Sequence, residues 1–573
     1  MKSRYIAALF AGSFIPMWAG SVSAPTPAVP ETTDDEDFDS FMKGAIDDFN
    51  AFLDEENKAF LEFMSKPWKG MNTLPPLENP MQPEPKVQPE AKPQAKPDAP
   101  KQLPVKEVVK ETSKKKPTKK KPVEIPKINP DKPTPAPKPE IKPEVKPAVK
   151  PEIKPEVKPE IKPEPKPEVK PESKPEVKPE PKPEVKPEPV PEVKPEPVVK
   201  TPETKVPNGS PLYTGGAGRV PMEFAGVTYY VDGALKGNVH LMAVNEPSIA
   251  AAYQELLTGN SKQLLSDLKT LRKDGLNSDW ALYLFIEDLT KEFASGNDAV
   301  LLRQFLLNQL GYKARLGIKG TDELMLLLAP ETEIYGKSMV MLDGQRYFVL
   351  DSKAPGWMRI CMKEAPRASG TLDMRLEGLP RLGGAERTST HTGIGKASAV
   401  SATVSVPENL VKFYDRIPQI GYGLYSSSAV LPSVADALKK QIAPAIAGKS
   451  EKEAAGILLD YIQKGFKYAT DEEQFGHEKP FFIEECYYWP MCDCEDRAVF
   501  YRYLVREFLG LDVVLLKYPN HLASAVKFTE PIQGDYVTVN GEKYWVCDPT
   551  FIGAGIGRAM PNCRDIETKI IIP

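Results

Sequence analysis

Three side chains near the C-terminus could do nucleophilic chemistry together: Cys494, His521 and Asp548, set at equal intervals along the sequence. Cys494 follows the polar turn Pro490-Met491-Cys492-Asp493 and precedes Ala498 to Leu509, a run with apolar residues at helical spacing that is closed by Gly510. A cysteine at a helix start meets unpaired N–H groups and the positive end of the helix dipole, which favour thiolate and can hold an oxyanion. His521 opens an apolar strand after the turn Tyr518-Pro519-Asn520, and Asp548 ends a later strand that follows the hairpin turn Asn540-Gly541. A sulfur, an imidazole and a carboxylate on three such elements supply a nucleophile, a general base and the group that orients the base. The intervals suit a helix followed by a meander and do not by themselves establish contact. Taken singly, the cysteine reads as packing or half a disulfide, and the histidine as an ordinary strand residue.

The residues around these three carry a resemblance. Asp493-Cys494-Glu495-Asp496 resembles the Asp-Cys-Glu-Asp core of bacterial transglutaminase-like cysteine proteinases of the papain-related superfamily. Glu473-Gln474-Phe475-Gly476, Cys494-Glu495-Asp496-Arg497-Ala498, Tyr518-Pro519-Asn520-His521, Gly534-Asp535-Tyr536-Val537 and Cys547-Asp548-Pro549-Thr550 are, as a set, similar to transglutaminase-domain proteins of Bacteroidetes-type bacteria. The likeness covers the last third of the chain strongly and the preceding third weakly. It implies Cys494 as nucleophile, His521 as base and Asp548 as orienting carboxylate, with acyl transfer on an amide or peptide bond of a protein or peptide substrate. Water resolving the thioester makes a peptidase or amidase, the preferred reading, and a lysine amine makes a transglutaminase. No cofactor is required. The resemblance also implies calcium beside the cysteine, on Asp493, Glu495 and Asp496; the same residues read equally as caps of the helix start. Cys492 precedes the matched core and takes a structural role, and Tyr488 or Trp489 stands near the site with no role assigned. The competing class is an inactive binding module of the same fold.

The elements that must position these residues are read along the chain. Met1-Lys2-Ser3-Arg4, the apolar run Tyr5 to Trp18 and the small residues Val22-Ser23-Ala24 form a secretory signal over 1–24, so the chain is exported, either periplasmic or secreted. No later run is apolar enough to span a membrane. Residues 25–81 hold an acidic amphipathic pattern of one or two helices from Asp34 to Trp68, which packs on the globular part or pairs with itself as a coiled coil. Residues 82–206 repeat Lys-Pro-Glu-Val and Lys-Pro-Glu-Ile and hold most of the 61 prolines. Such a sequence cannot build a core, is biased to polyproline II and reads as a disordered stalk reaching an envelope partner. Because its charges balance, the net charge of −4 says little about partners, and nothing points to nucleic acid.

The remainder reads as an α+β protein of two tandem helix-plus-antiparallel-sheet units, 207–365 and 406–573, joined by strands or loops over 366–405. Ala299 to Gly311 aligns without gaps to Ala498 to Gly510, Gly344 to Asp351 matches Gly541 to Asp548, and Trp280 to Phe293 mirrors Ala455 to Phe466. In this alignment Cys494 corresponds to Ser295 and His521 falls near Asp322, while Asp351 matches Asp548. The first unit is therefore expected to be degenerate and catalytically dead. Six cysteines are present, and with Cys494 free at most two disulfides can form. The Cys-X-Cys pair and four histidines do not have zinc-site spacing.

Overall fold

The computed structural model describes residues 35–77, 87–92, 99–111, 210–350, 356–395 and 398–573. The expected signal at 1–24, Asp351 and most of the Lys-Pro-Glu repeat lie outside these residues. In chain order the elements used below are α1 (Asp35–Met64), β1 (Lys69–Asn72), β2 (Val105–Lys110), the hairpin β3 (Arg219–Phe224) and β4 (Val227–Asp232), and α2 (Glu246–Thr258). Then come α3 (Asp279–Phe293), α4 (Gly296–Gln309), β5 (Ala314–Lys319), β6 (Glu323–Leu328), β7 (Met339–Leu342), β8 (Gln345–Val349) and β9 (Trp357–Ile360). The hairpin β10 (Glu386–Ile394) and β11 (Ala399–Pro407) leads to α5 (Tyr422–Ser427), α6 (Pro432–Ile446), α7 (Glu451–Gly465) and α8 (Cys494–Leu509). The chain ends in β12 (Val513–Tyr518), β13 (His521–Val526), β14 (Tyr536–Val539), β15 (Glu542–Cys547) and β16 (Thr568–Ile572).

The class is α+β, with helices packed on largely antiparallel sheets. Two six-stranded sheets carry the architecture, in the orders β1-β9-β5-β6-β8-β7 and β2-β16-β12-β13-β15-β14. Position for position the orders are the same: a strand from the N-terminal segment lies at one edge, followed by the last, first, second, fourth and third strands of the local meander. All pairings are antiparallel except that of β2 with β16. The helix α4 packs on β5 and β6 as α8 packs on β12 and β13.

Local signals explain the second sheet. Asn540 (φ 50°) and Gly541 (φ 86°) supply the two positive φ values that a tight hairpin between β14 and β15 requires. Strand β13 is buried on both faces, which its near-continuous apolar run anticipates. One face of this sheet packs Leu515 and Leu522 against Ala498, Phe500 and Leu504 of α8. The other packs Val514, Leu516, Ala525 and Val546 with Leu103, just before β2. A capping box of Ser450 and Glu453 starts α7, both hydrogen bonds being present.

The N-terminal segment agrees with the sequence expectation in its helix and departs from it in the residues that follow. Residues 35–64 form a single helix whose Leu53, Phe60 and Met64 are buried, with the Phe60 ring edge-on to Tyr253 of α2 at 5.5 Å. Residues 87–92 and 99–111, assigned from composition to the stalk, are paired with the C-terminal sheet and loops. Ala91 N–H donates to Ile552 C=O at 2.8 Å, Leu103 N–H donates to Tyr536 C=O at 2.8 Å, and β2 runs parallel to β16. The second stretch differs in composition from the strict Lys-Pro-Glu repeat, with Leu103, Val105, Val108 and Val109, and a strand with free edges gains its hydrogen bonds only from a distant partner. Residues 386–407, read as strands or loops, form a hairpin packed on α6 and α7.

Candidate active site

Asp493 stands as the cap of α8 and Cys494 is its first residue, as the sequence suggests. The Asp493 N–H is accepted by Asp496 at 3.2 Å, so Asp496 works as a cap of this helix start. The two-residue turn Pro519-Asn520 brings β12 back as β13, whose first residue is His521. The Leu522 N–H, one residue further on, donates to Cys494 Sγ at 3.1 Å. That bond fixes the sulfur against the start of the strand that carries the imidazole. The His521 ring meets Asp548 through Nε2 and Oδ2 at 2.9 Å, and the other carboxylate oxygen of Asp548 accepts the Thr550 N–H at 3.0 Å and the Phe551 N–H at 3.3 Å. The structure thus pairs His521 with Asp548 and sets the Cys494 sulfur against the residue that follows His521, the three residues having exposures of 0 % (Cys494), 4 % (His521) and 2 % (Asp548).

Two supports went unread in the sequence. Gln463, near the end of α7, donates to the Asp548 C=O at 2.9 Å and the Ala554 C=O at 3.0 Å, and accepts the Gly553 N–H at 3.0 Å. It holds the backbone on both sides of the turn that carries Asp548. Glu495 accepts a hydrogen bond from the Cys494 thiol at 3.2 Å. Neither residue has a local signal of this role, because each acts on a segment that only the fold brings near or on its own neighbour.

The trio implied for calcium divides. Carboxylate oxygens of Asp471, Asp493 and Asp496 lie within 4.8 Å of one another, all three residues being buried, and Asp471 also groups in this way with Glu478 and Glu495. Asp471 thus links two sets that the sequence had read as one, and it had not been read as a member. The all-oxygen donor set suits a hard cation. Burial, and then Asp493 and Asp471, raise the Asp496 carboxyl well above the carboxylate range. Asp496 also accepts the Phe481 N–H at 2.8 Å, so part of its capacity is already used.

The other cysteines differ from Cys494 in their surroundings. All six lie among the described residues as buried thiols, and no disulfide joins any of them. Burial pushes the Cys547 and Cys563 thiols up to about 12 and the Cys361 thiol up to about 11. Burial also raises Cys492, against the nearby Arg497 guanidinium, in keeping with a structural part. Trp489 packs edge-on to Phe475 at 5.1 Å and donates to Glu485 at 3.2 Å, and the Tyr488 ring lies beneath the Arg387 guanidinium at 5.3 Å.

The corresponding place in the first unit is built differently. Ser295 stands at the N-cap position of α4 without a side-chain cap bond, and the Leu324 N–H, second in β6 as Leu522 is second in β13, donates at 2.8 Å to the Asn297 side chain. Asn297 in turn donates to the Asp322 C=O at 2.8 Å. A carboxamide here takes the hydrogen bond that a sulfur takes in the second unit. Among the described residues, no helix is long and apolar enough to cross a membrane. Comparison with protein-family models, with curated proteins and with solved structures finds no match for this chain.

Proposed function

We propose that the chain is an exported, cysteine-dependent acyl-transfer enzyme of transglutaminase-like type that hydrolyses amide or peptide bonds of proteins. The observation that carries this reading is the pairing of His521 with Asp548 at 2.9 Å beside a sulfur that accepts the Leu522 N–H at 3.1 Å. With Asp548 engaging Nε2, the neutral ring keeps its proton there and Nδ1 is the nitrogen that serves as base. Nδ1 takes the Cys494 proton as the sulfur–carbon bond to the substrate carbonyl forms. The imidazolium then returns that proton to the amine as the carbon–nitrogen bond breaks, and water, deprotonated by the same ring, releases the acid and restores the thiol. The N–H groups at the start of α8 face the developing oxyanion.

The two sheet-bearing units, 207–365 and 406–573, are read as copies of one duplicated unit, the first without chemistry. The shared strand order and the Leu324–Asn297 substitute for Leu522–Cys494 support this reading. Asp471, Asp493 and Asp496 are proposed to hold calcium if a cation binds, where it would stiffen the start of α8.

The test is incubation with a glutamine-bearing protein and a fluorescent primary amine. Cleavage without incorporation supports the hydrolase. Incorporation without cleavage makes the protein a transglutaminase, and neither, with Cys494 no more reactive than in denatured chain, makes it a binding module.

A further inference from the structure

The reacting sulfur is wholly buried, so something must open before a substrate carbonyl can reach it. One wall leads by a series of hydrogen bonds and one close approach of two carboxylates, Glu478 and Glu495 within 4.8 Å, to the N-terminal segment. Glu111, the residue after β2, carries a mostly buried carboxylate that accepts the Gly423 N–H at 2.6 Å at the start of α5. No side chain fits between them: a Cβ at Gly423 would stand 2.7 Å from the Glu111 carboxylate oxygen, and one at Gly421 would meet the same carboxylate more closely still. Between these glycines lies Tyr422, whose hydroxyl donates to Glu478 at 3.2 Å and whose ring lies 4.9 Å from the Lys517 ammonium. Glu478 groups with Glu495, and Glu495 holds the Cys494 thiol.

We propose that residues 99–111 form a built-in strap that keeps the site closed, with Glu111 as its latch and the Tyr422–Glu478–Glu495 contacts as the link to Cys494. The proposal rests on the catalytic reading of Cys494 given above. Pulling or binding on the chain beyond Glu111 acts first on this latch and then on the edge strand β2, which is held on one side only, by β16. The latch is built to be releasable. Burial raises the Glu111 carboxyl, against the Gly423 N–H, so the pocket holds the carboxylate at a cost in desolvation. Once Glu111 leaves, the segment bearing Tyr422 loses its anchor, Glu478 loses the tyrosine hydroxyl and the thiol is free to turn from Glu495 toward His521.

The experiment follows iodoacetamide labelling of Cys494 in the full chain by peptide mass, with hydrogen exchange across residues 105–110 read in parallel. Glu111→Ala and Gly423→Ala attack the latch from its two sides. Both are expected to speed exchange in β2 and to raise the Cys494 labelling rate by about tenfold or more, while Cys547 stays unlabelled and so excludes general unfolding. Unchanged labelling of Cys494 in both variants, whether or not exchange quickens, overturns the strap. The same variants in a His521→Ala background separate the two readings. If release of the strap accelerates labelling equally with and without His521, the strap stands and the acyl-transfer reading falls.

Discussion

His521 Nε2 lies 2.9 Å from Asp548 Oδ2, in a setting where both side chains are almost sealed from water. A hydrogen bond to a carboxylate in such surroundings fixes the tautomer of the ring as well as its orientation. Asp548→Asn keeps the shape and reverses one partner, because an amide nitrogen facing Nε2 favours the proton on the other nitrogen. Turnover of an amide substrate is expected to fall by about 10³–10⁴-fold with the thermal transition little changed. Activity within tenfold of the parent would remove Asp548 from the site.

Glu484 gives the stability of the fold a pH dependence. It is 1 % exposed, and burial is the main cause that raises its carboxyl to about 7, against the Leu431 N–H at 2.6 Å and the Tyr414 hydroxyl at 3.0 Å. In the unfolded chain the same group ionises near 4.5, so between these values the folded state binds more protons. Its contribution is therefore fully present below about 4.5 and is lost as pH rises through about 7, a change of roughly 3 kcal/mol. Urea midpoints at pH 5 and pH 8 should show this fall in the parent and a smaller one in Glu484→Gln. Equal slopes in the two proteins would contradict it.

The strap is expected to contribute to stability as well as to closure. Leu103 is 1 % exposed within the cluster formed by Val514, Leu516 and Val546. Leu103→Ala should destabilise the full chain by about 2–4 kcal/mol, read from the urea midpoint. A loss below about 0.5 kcal/mol, the level of a surface substitution, would mean that the segment does not sit in this core in solution.

Gly534 is required by its backbone. Its φ of 130° is poorly tolerated by residues with a side chain, and a Cβ there would collide with the Gly557 carbonyl oxygen. That carbonyl accepts the Asp535 N–H at 2.7 Å, and Asp535 holds Arg564 at 2.9 Å. Gly534→Ala should lower stability by about 2 kcal/mol or more and loosen residues 557–564, as seen by hydrogen exchange. Parent-like exchange there would contradict the assignment.

Much of this site was legible because its signals are local. The cap before Cys494, the turn before His521 and the Asn540-Gly541 hairpin each fix one element, and those elements carry the candidate residues. The edge strands were not legible. Neither Lys69–Asn72 nor Val105–Lys110 has a hydrophobic period strong enough to declare itself, and their partners lie hundreds of residues away. Gln463 and Asp471 were missed for the same reason: a side chain that braces a remote turn leaves no pattern in its own neighbourhood. The capping box at Thr470 and Glu473 marks the start of a short helix at Asp471 but says nothing of Asp493 across the site.

The central claim is that Cys494 is activated by His521, and the rate of its alkylation by iodoacetamide against pH tests this most directly. In the parent chain Cys494 should react faster near neutral pH than the same residue in denatured chain, and His521→Ala should bring that rate down by about tenfold or more while leaving the fold intact. A Cys494 that labels no faster than in denatured chain, with a profile unmoved by His521→Ala, would contradict the account.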